Sequence, residues 1–198
     1  MAHLILLNGP PGIGKSTLAR MFADRHPGTL NLDIDQVRCL IGGWQDDFQA
    51  TGNIVRPVAR SMAATHLAAG RDVIVPQFLD SDDEIAGFRA IAGDTGSRFR
   101  EIVIMDTKER AVARFGNRGA GEDIPWHGQI KAIVEQGGGS QLLESLYDGL
   151  AGGLQKRPSA TLIHSTHGAP EETYASLIRA LAPDSRHGPC QPSRAPLS

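Results

Sequence analysis

The sequence predicts an α/β fold, a doubly wound five-stranded parallel sheet with helices on both faces. Three observations lead there. Short apolar runs alternate with helical stretches along most of the chain, the pattern of a parallel sheet with crossover helices. The runs are apolar at consecutive positions, as strands buried on both faces are. A length of 198 residues suits one such domain and leaves little room for a second.

In chain order, His3–Leu7 is the first strand, and a glycine-rich turn leads into a helix from about Lys15 to Arg25. Thr29–Asp33 reads as the second strand, ending in Asp33-Ile34-Asp35. The alanine-rich stretch Val55–Ala69 is helical, and Gly70 stops it. Arg71–Pro76 is the third strand, Asp80–Ile91 a helix and Phe99–Met105 the fourth strand. Lys108–Phe115 begins a helix that runs into the glycine-rich stretch Gly116–Gly121, expected to be flexible. Ile130–Gln136 and Gln141–Leu150 read as helices parted by Gly137, Gly138 and Gly139. Ala160–His164 is the fifth strand and Glu171–Leu181 the last helix. One domain is expected over residues 1–182. Pro183–Ser198, rich in Pro, Ser and Arg, reads as a tail without a core of its own.

Composition narrows the partners. Hydrophobic content of 40% and charged content of 21% are ordinary for a globular protein. A formal net charge of -2 with no basic block argues against a sequence-independent grip on nucleic acid, which needs clustered Lys and Arg. The apolar run Leu4–Leu7 lacks a basic lead-in and a cleavage site, and no later run approaches a spanning length. A cytoplasmic protein with a small-molecule substrate and no membrane or nucleic-acid partner is expected, as monomer or homodimer. Cys39 and Cys190 lie far apart and suggest neither a disulfide nor a metal site; Cys39 reads as a small buried hydrophobe.

In open parallel sheets, function collects at the carboxyl ends of the strands. After the first strand stands Gly9-Pro10-Pro11-Gly12-Ile13-Gly14-Lys15-Ser16, a match to the phosphate-loop pattern G-x-x-x-x-G-K-[ST] between strand and helix. Glycines let backbone N–H groups turn inward around phosphate oxygens, and the helix N-terminus adds partial positive charge. Lys15 reaches the β and γ phosphates of ATP or GTP, Ser16 ligates Mg2+, and Thr17 touches the α phosphate. At the second strand end, Asp33 and Asp35 would project to one side while the strand lasts. A kinase needs a carboxylate to orient and deprotonate the attacking hydroxyl, and gains from another that serves magnesium. Asp35 could instead cap the helix that carries Val37 and Leu40.

With these residues the chain resembles the P-loop kinase group of shikimate kinase, gluconate kinase, chloramphenicol phosphotransferase and the zeta toxins, over nearly its whole length to about Leu181. The resemblance implies a nucleoside-monophosphate-kinase-like P-loop fold with a small lid at about 116–129. It implies ATP-dependent transfer to a hydroxyl of a small molecule, an antibiotic being one candidate. The acidic turn resembles a D-x-D in which the first acid, here Asp33, serves magnesium and the second, Asp35, the substrate hydroxyl. Arg38, one turn on, would pin a substrate oxygen. Many P-loop proteins end the third strand in a magnesium-binding Asp; here Val75-Pro76-Gln77 has none before Asp80. Magnesium then depends on Ser16 and Asp33, and Gln77 suits a substrate hydrogen bond.

Arg110, Arg114 and Arg118 recur every four residues, which stacks them on one helix face leading into the lid. Arginine forks there would neutralise charge on the moving phosphoryl group, Arg110 also contacting nucleotide; a solvated face paired with Glu109 is the plainer alternative. Arg56 resembles the substrate arginine of shikimate kinase. Trp44 and Phe48 fall in the connector where acceptors sit, as an aromatic wall or as core. His164, Thr166 and His167 follow the last strand, where the group contacts adenine, Thr166 being the residue expected to do so. Two competing readings remain at this level: a nucleotide-sugar or polynucleotide 5′-hydroxyl kinase, and a nucleotide-dependent switch that hydrolyses little. The acid pair speaks against the switch, which has no hydroxyl to deprotonate.

Overall fold

The computed structural model describes residues 1–116, 125–166 and 168–182. Residues expected in the central lid, Arg118 among them, as well as His167 and the tail from Pro183, lie outside the described residues. The described part is a five-stranded, all-parallel sheet in the order β2-β3-β1-β4-β5. Its strands are β1 (His3–Asn8), β2 (Leu30–Asn31), β3 (Val73–Pro76), β4 (Arg98–Met105) and β5 (Thr161–His164). Helices α1 (Lys15–Arg25), α2 (Ile34–Arg38), α3 (Phe48–Ala68), α4 (Asp82–Asp94), α5 (Lys108–Gly116), α6 (Pro125–Gln136), α7 (Ser140–Leu154) and α8 (Pro170–Leu181) connect them. None of the helices described is long and apolar enough to cross a membrane.

Alternate residues of the central strand feed two cores, which explains its unbroken apolar sequence. Leu4 and Leu6 join Val73 and Val75 under α3 and α4, where Val55, Ala59, Ala63, Ile85 and Phe88 pack. Ile5 and Leu7 join Ile74, Ile102 and Ile104 on the other face, against Leu18, Phe22 and Leu177 of α1 and α8. Burying Leu4, Leu6 and Leu7 completely contributes roughly 1.5–3 kcal/mol each relative to exposure. One charge in the described strands is buried. Glu101, 2% exposed, takes a hydrogen bond from Arg157 Nη1 at 2.8 Å, and burial pushes its carboxyl above the ordinary range despite that cation.

Several boundaries differ from the sequence reading, each for a local reason. β2 ends at Asn31, so Asp33 and Asp35 do not share a strand face. Asp33 opens the short helix α2 as its N-cap, accepting from the Asp35 N–H at 3.1 Å; the capping acid is therefore Asp33 and not Asp35. Helix α3 starts at Phe48 rather than Val55, so Phe48 belongs to the helix and not to a connector. Asp47 caps it by accepting from Ala50 N–H at 2.8 Å. Pro57 is tolerated inside because the carbonyl it leaves without a donor belongs to Asn53, on the exposed face. α6 begins at Pro125, five residues before the predicted start, in the first-turn position where a missing N–H costs nothing. Cys39 is half-buried rather than fully buried.

Candidate active site

The phosphate loop takes its shape from three glycines at positive φ: Gly9 (152°), Gly12 (80°) and Gly14 (103°). Two of them also make close approaches. A Cβ on Gly9 would lie 2.5 Å from the Ile104 carbonyl oxygen of β4, and one on Gly12 2.9 Å from Phe115 Cα of α5. The loop is thus wedged between the end of the sheet and the helix that leads to the predicted lid. Asn8 anchors its first residue: Oδ1 accepts from Gly9 N–H at 2.8 Å and Leu79 N–H at 3.0 Å, and Nδ2 donates to the Leu79 carbonyl at 2.7 Å. Lys15 Nζ donates to the carbonyls of Gly9 and Pro10 at 2.7 and 2.9 Å. Pro11 and Ser16 are half-buried, Ile13 is buried in the core, and Thr17 is exposed at the start of α1.

The acidic turn meets this loop directly. Ser16 Oγ donates to Asp33 Oδ2 at 3.2 Å, and Asp33 is 4% exposed. One carboxylate therefore caps α2 through Oδ1 and reaches the loop's hydroxyl through Oδ2. An oxygen pair of this kind suits Mg2+, which takes few protein ligands and fills its remaining positions with water and phosphate oxygens. Among the described residues no group of three or more His, Cys, Asp or Glu gathers in metal-binding proximity. Asp35 stands in the first turn of α2, its side chain 18% exposed, 3.6 Å from Arg38.

Arg38, Arg56 and Gln77, three positions predicted to touch substrate, come together on the wall of one small cavity. The Arg38 side chain is 5% exposed, stacks on Phe48 at 3.6 Å and donates to the Phe48 carbonyl at 2.8 Å. Burial lowers its pKa, with Asp35 opposing and Arg56 adding to the shift. Arg56 forms an ion pair with Glu84 at 2.6 Å and is half exposed. Trp44 stays half-buried in the preceding loop, outside this wall.

The arginines of α5 divide. Arg114 bridges three segments: Nη2 donates to the Ile13 carbonyl at 3.0 Å, and Nη1 to Ser165 Oγ at 2.8 Å and Asp106 Oδ2 at 3.5 Å. Arg110 points to solvent, 67% exposed, and lies 3.7 Å from Asp106 rather than against Glu109. Asp106, its side chain only 5% exposed, was not anticipated. The signal was present, an acid directly after an apolar strand and four and eight residues before two arginines. Ser165 was also missed, one residue before Thr166. The Thr166 N–H donates to Thr173 Oγ1 at 3.0 Å while its side chain is exposed, and His164 is exposed at the end of β5.

A glycine-wedged phosphate loop at the carboxyl end of the middle strand, facing an acidic cap, defines a P-loop domain of kinase-like fold. The chain belongs to the AAA domain family, whose pattern matches residues 4–134. Comparison with curated proteins gives no match. Among solved structures it is similar to a tunicamycin resistance protein of Deinococcus radiodurans, with 17% identity, 89% of this chain and 96% of the other covered, and a TM-score of 0.54. It is similar to a gluconokinase of Sinorhizobium meliloti 1021, with 16% identity, 89% and 92% covered, and a TM-score of 0.57. A chain of the Pnkp1/Rnl/Hen1 RNA repair complex matches at 19% identity over 78% of this chain and 46% of the other, TM-score 0.57. At these identities the likeness is one of fold.

Proposed function

We propose that the protein is an ATP-dependent phosphotransferase that phosphorylates a hydroxyl of a small molecule. The observation that carries the proposal is the 3.2 Å hydrogen bond from Ser16 to Asp33. It joins the phosphate loop to the acidic turn, so the phosphate donor and a carboxylate for the acceptor belong to one unit.

In this reading the backbone of residues 9–16 cradles the phosphates, and Lys15 turns from the Gly9 and Pro10 carbonyls to the β and γ phosphates. Ser16 and Asp33 would hold Mg2+, which supplies charge neutralisation on the phosphate oxygens. Asp35 orients the acceptor hydroxyl and takes its proton as the new O–P bond forms and the bond from the γ-phosphorus to the bridging oxygen breaks, releasing ADP. Arg114 would stabilise charge from the α5 side, and Arg118, which lies outside the described residues, would add to it. Thr17, Arg110 and Thr166 complete the nucleotide contacts. The domain of residues 1–182 suffices for this chemistry, with 183–198 as an accessory tail. An antibiotic acceptor falls within the proposal, supported by the fold shared with a tunicamycin resistance protein.

Asp35→Asn tests it. Asparagine keeps a hydrogen bond but cannot take the proton, and Asp33 still caps α2. ATP affinity should stay near wild type and the melting temperature fall only by what the 3.6 Å pair with Arg38 contributes, while acceptor-dependent turnover falls about a hundred- to ten-thousand-fold. The acceptor comes from a phosphate-transfer screen of hydroxylated metabolites and antibiotics. Unchanged turnover would remove Asp35 from the mechanism, and ATP hydrolysis indifferent to every acceptor would favour a switch.

A further inference from the structure

We propose that the acceptor is anionic, carrying a carboxylate or a phosphate beside its hydroxyl, and that Arg38, Arg60 and Gln77 form the site that holds this group. The inference rests on the phosphotransferase reading and deepens it. A cavity of about 30 Å³ lies between α2, α3, α4 and the segment after β3, lined among others by Arg38, Arg56, Arg60, Gln77, Glu84 and Phe88. Three guanidinium groups meet there. Of the carboxylates, Glu84 is engaged by Arg56 at 2.6 Å and Asp35 lies 3.6 Å from Arg38. Arg60 forms no ion pair with a carboxylate of the described residues, although Glu84 lines the same cavity; its guanidinium lies 5.8 Å from the centre of the Phe88 ring.

Three polar atoms on this wall are buried without a hydrogen-bond partner: Arg38 Nε, Arg60 Nε and Gln77 Oε1. Gln77 can present its amide N–H groups after a flip of the side chain, so all three residues can donate. The arrangement is costly by itself, because burial and like charge both disfavour adjacent cations. A bound anion offsets both costs. Bracing alone would be served by a carboxylate, as Glu101 serves Arg157 elsewhere in this molecule.

The neighbouring helices make room for these groups. A Cβ on Gly52 of α3 would lie 3.5 Å from Arg56 Nη1 and 3.9 Å from Arg38 Nη1. A Cβ on Gly87 of α4 would lie 2.7 Å from Arg60 Nη2. Arg38 follows Asp35 by one turn of α2, and the Gln77 N–H donates to the carbonyl of Leu7 at 3.1 Å, just before the phosphate loop. An anion held here leaves the rest of its molecule beside the acidic turn. By this measure a water needs about 10–15 Å³, so a cavity of about 30 Å³ has room for the two oxygens of a carboxylate. A phosphate requires the half-exposed Arg56 to swing outward.

Glycerol, glycerate and glycerol 3-phosphate provide a matched set on one carbon skeleton: neutral, carboxylate and phosphate. Their binding is measured by calorimetry to the full chain with the phosphate loop filled by magnesium and a non-hydrolysable ATP analogue. The expected result is at least one anionic member binding about tenfold or more tighter than glycerol, as charge-assisted hydrogen bonds imply; which one identifies the group. Arg60→Gln should remove that preference without altering analogue affinity, and Arg60→Lys should restore part of it. Gly87→Ala, which displaces the Arg60 head and leaves the residue in place, should weaken the anion as well. Equal binding of all three compounds, or an anion preference that survives Arg60→Gln, overturns the proposal. An anion preference in a protein that transfers no phosphate to any acceptor would support the site and count against the kinase reading.

Discussion

The phosphate loop is built from eight consecutive residues, 9–16, whereas the wall beside it draws Arg38 from α2, Arg56 and Arg60 from α3, Gln77 from the end of β3 and Glu84 from α4. The first region works through backbone: positive-φ glycines, a helix N-terminus and the Asn8 clasp. The second works through side-chain heads whose positions depend on how three helices pack. A backbone site of this kind serves any nucleoside triphosphate, since every phosphate chain presents the same oxygens. A side-chain wall, in its proposed role of holding the acceptor, is free to vary with it. Damage to the two regions should therefore differ in kind, nucleotide effects on one side and acceptor effects on the other.

The largest break is expected at Lys15. Lys15→Ala should lower transfer by two orders of magnitude or more, in the range of about 10²–10³ found when a transition-state donor is removed, with weaker ATP binding and an unchanged fold by circular dichroism. Near-normal turnover would end the phosphate-loop assignment. Gly12→Ala comes next. Its φ of 80° and the 2.9 Å approach to Phe115 mean that strain of roughly 1–3 kcal/mol falls on the contact between loop and α5. ATP affinity should drop about tenfold, the equivalent of 1.4 kcal/mol, together with melting temperature. Gly52→Ala on the acceptor side is the matched control: it should leave ATP affinity alone, and a loss equal to that of Gly12→Ala would erase the distinction between the regions.

Asp33 stands where the two regions meet, and Asp33→Asn should act more mildly. Asparagine preserves the cap on α2 but loses the charge beside Ser16. The magnesium concentration for half-maximal activity should rise severalfold, less than the factor of ten that about 1.4 kcal/mol represents, and Asp80→Asn should not change it. The reverse result would assign magnesium to the segment after β3.

The smallest effect is expected far from both regions, at the exposed pair Arg25–Glu171, 2.6 Å apart. The hydrogen bond from Arg25 holds the Glu171 carboxyl below its ordinary value. A depressed carboxylate stabilises the fold above its unfolded pKa, and this is lost as pH falls through the folded one. Glu171→Gln should therefore lower the melting temperature slightly at neutral pH and leave it unchanged at strongly acidic pH. A larger loss in acid than at pH 7 would contradict the sign.

The two regions were unequally legible in the amino-acid order. The strands and their parallel sense were readable because the central ones are apolar at consecutive positions, and Leu4 to Leu7 show it most plainly; their order was not, since the second strand, expected beside the phosphate-loop strand, pairs with β3 instead. The phosphate loop was readable because its spacing and its glycines are local requirements of a turn between strand and helix. The start of helix α2 was misplaced because five residues are too few for a periodic signal. With it went the assignment of the cap, which fell on Asp35 when Asp33 both caps the helix and meets Ser16. The start of α3 was obscured by Gly52, a poor helix residue, and only its surroundings, like those of Pro57, explain it. Gly52 lies beneath two guanidinium groups, and Pro57 leaves the carbonyl of exposed Asn53 without a donor. Asp106 could have been found from its spacing to Arg110 and Arg114, but its contact with the loop depends on Arg114 reaching Ile13 across 101 positions of chain. Local periodicity and turn chemistry are properties of neighbouring residues, so the order of amino acids already contains them. The meeting of Arg38, Arg60 and Gln77 is a property of distance in space, and it exists only once α3 and α4 have closed over the sheet.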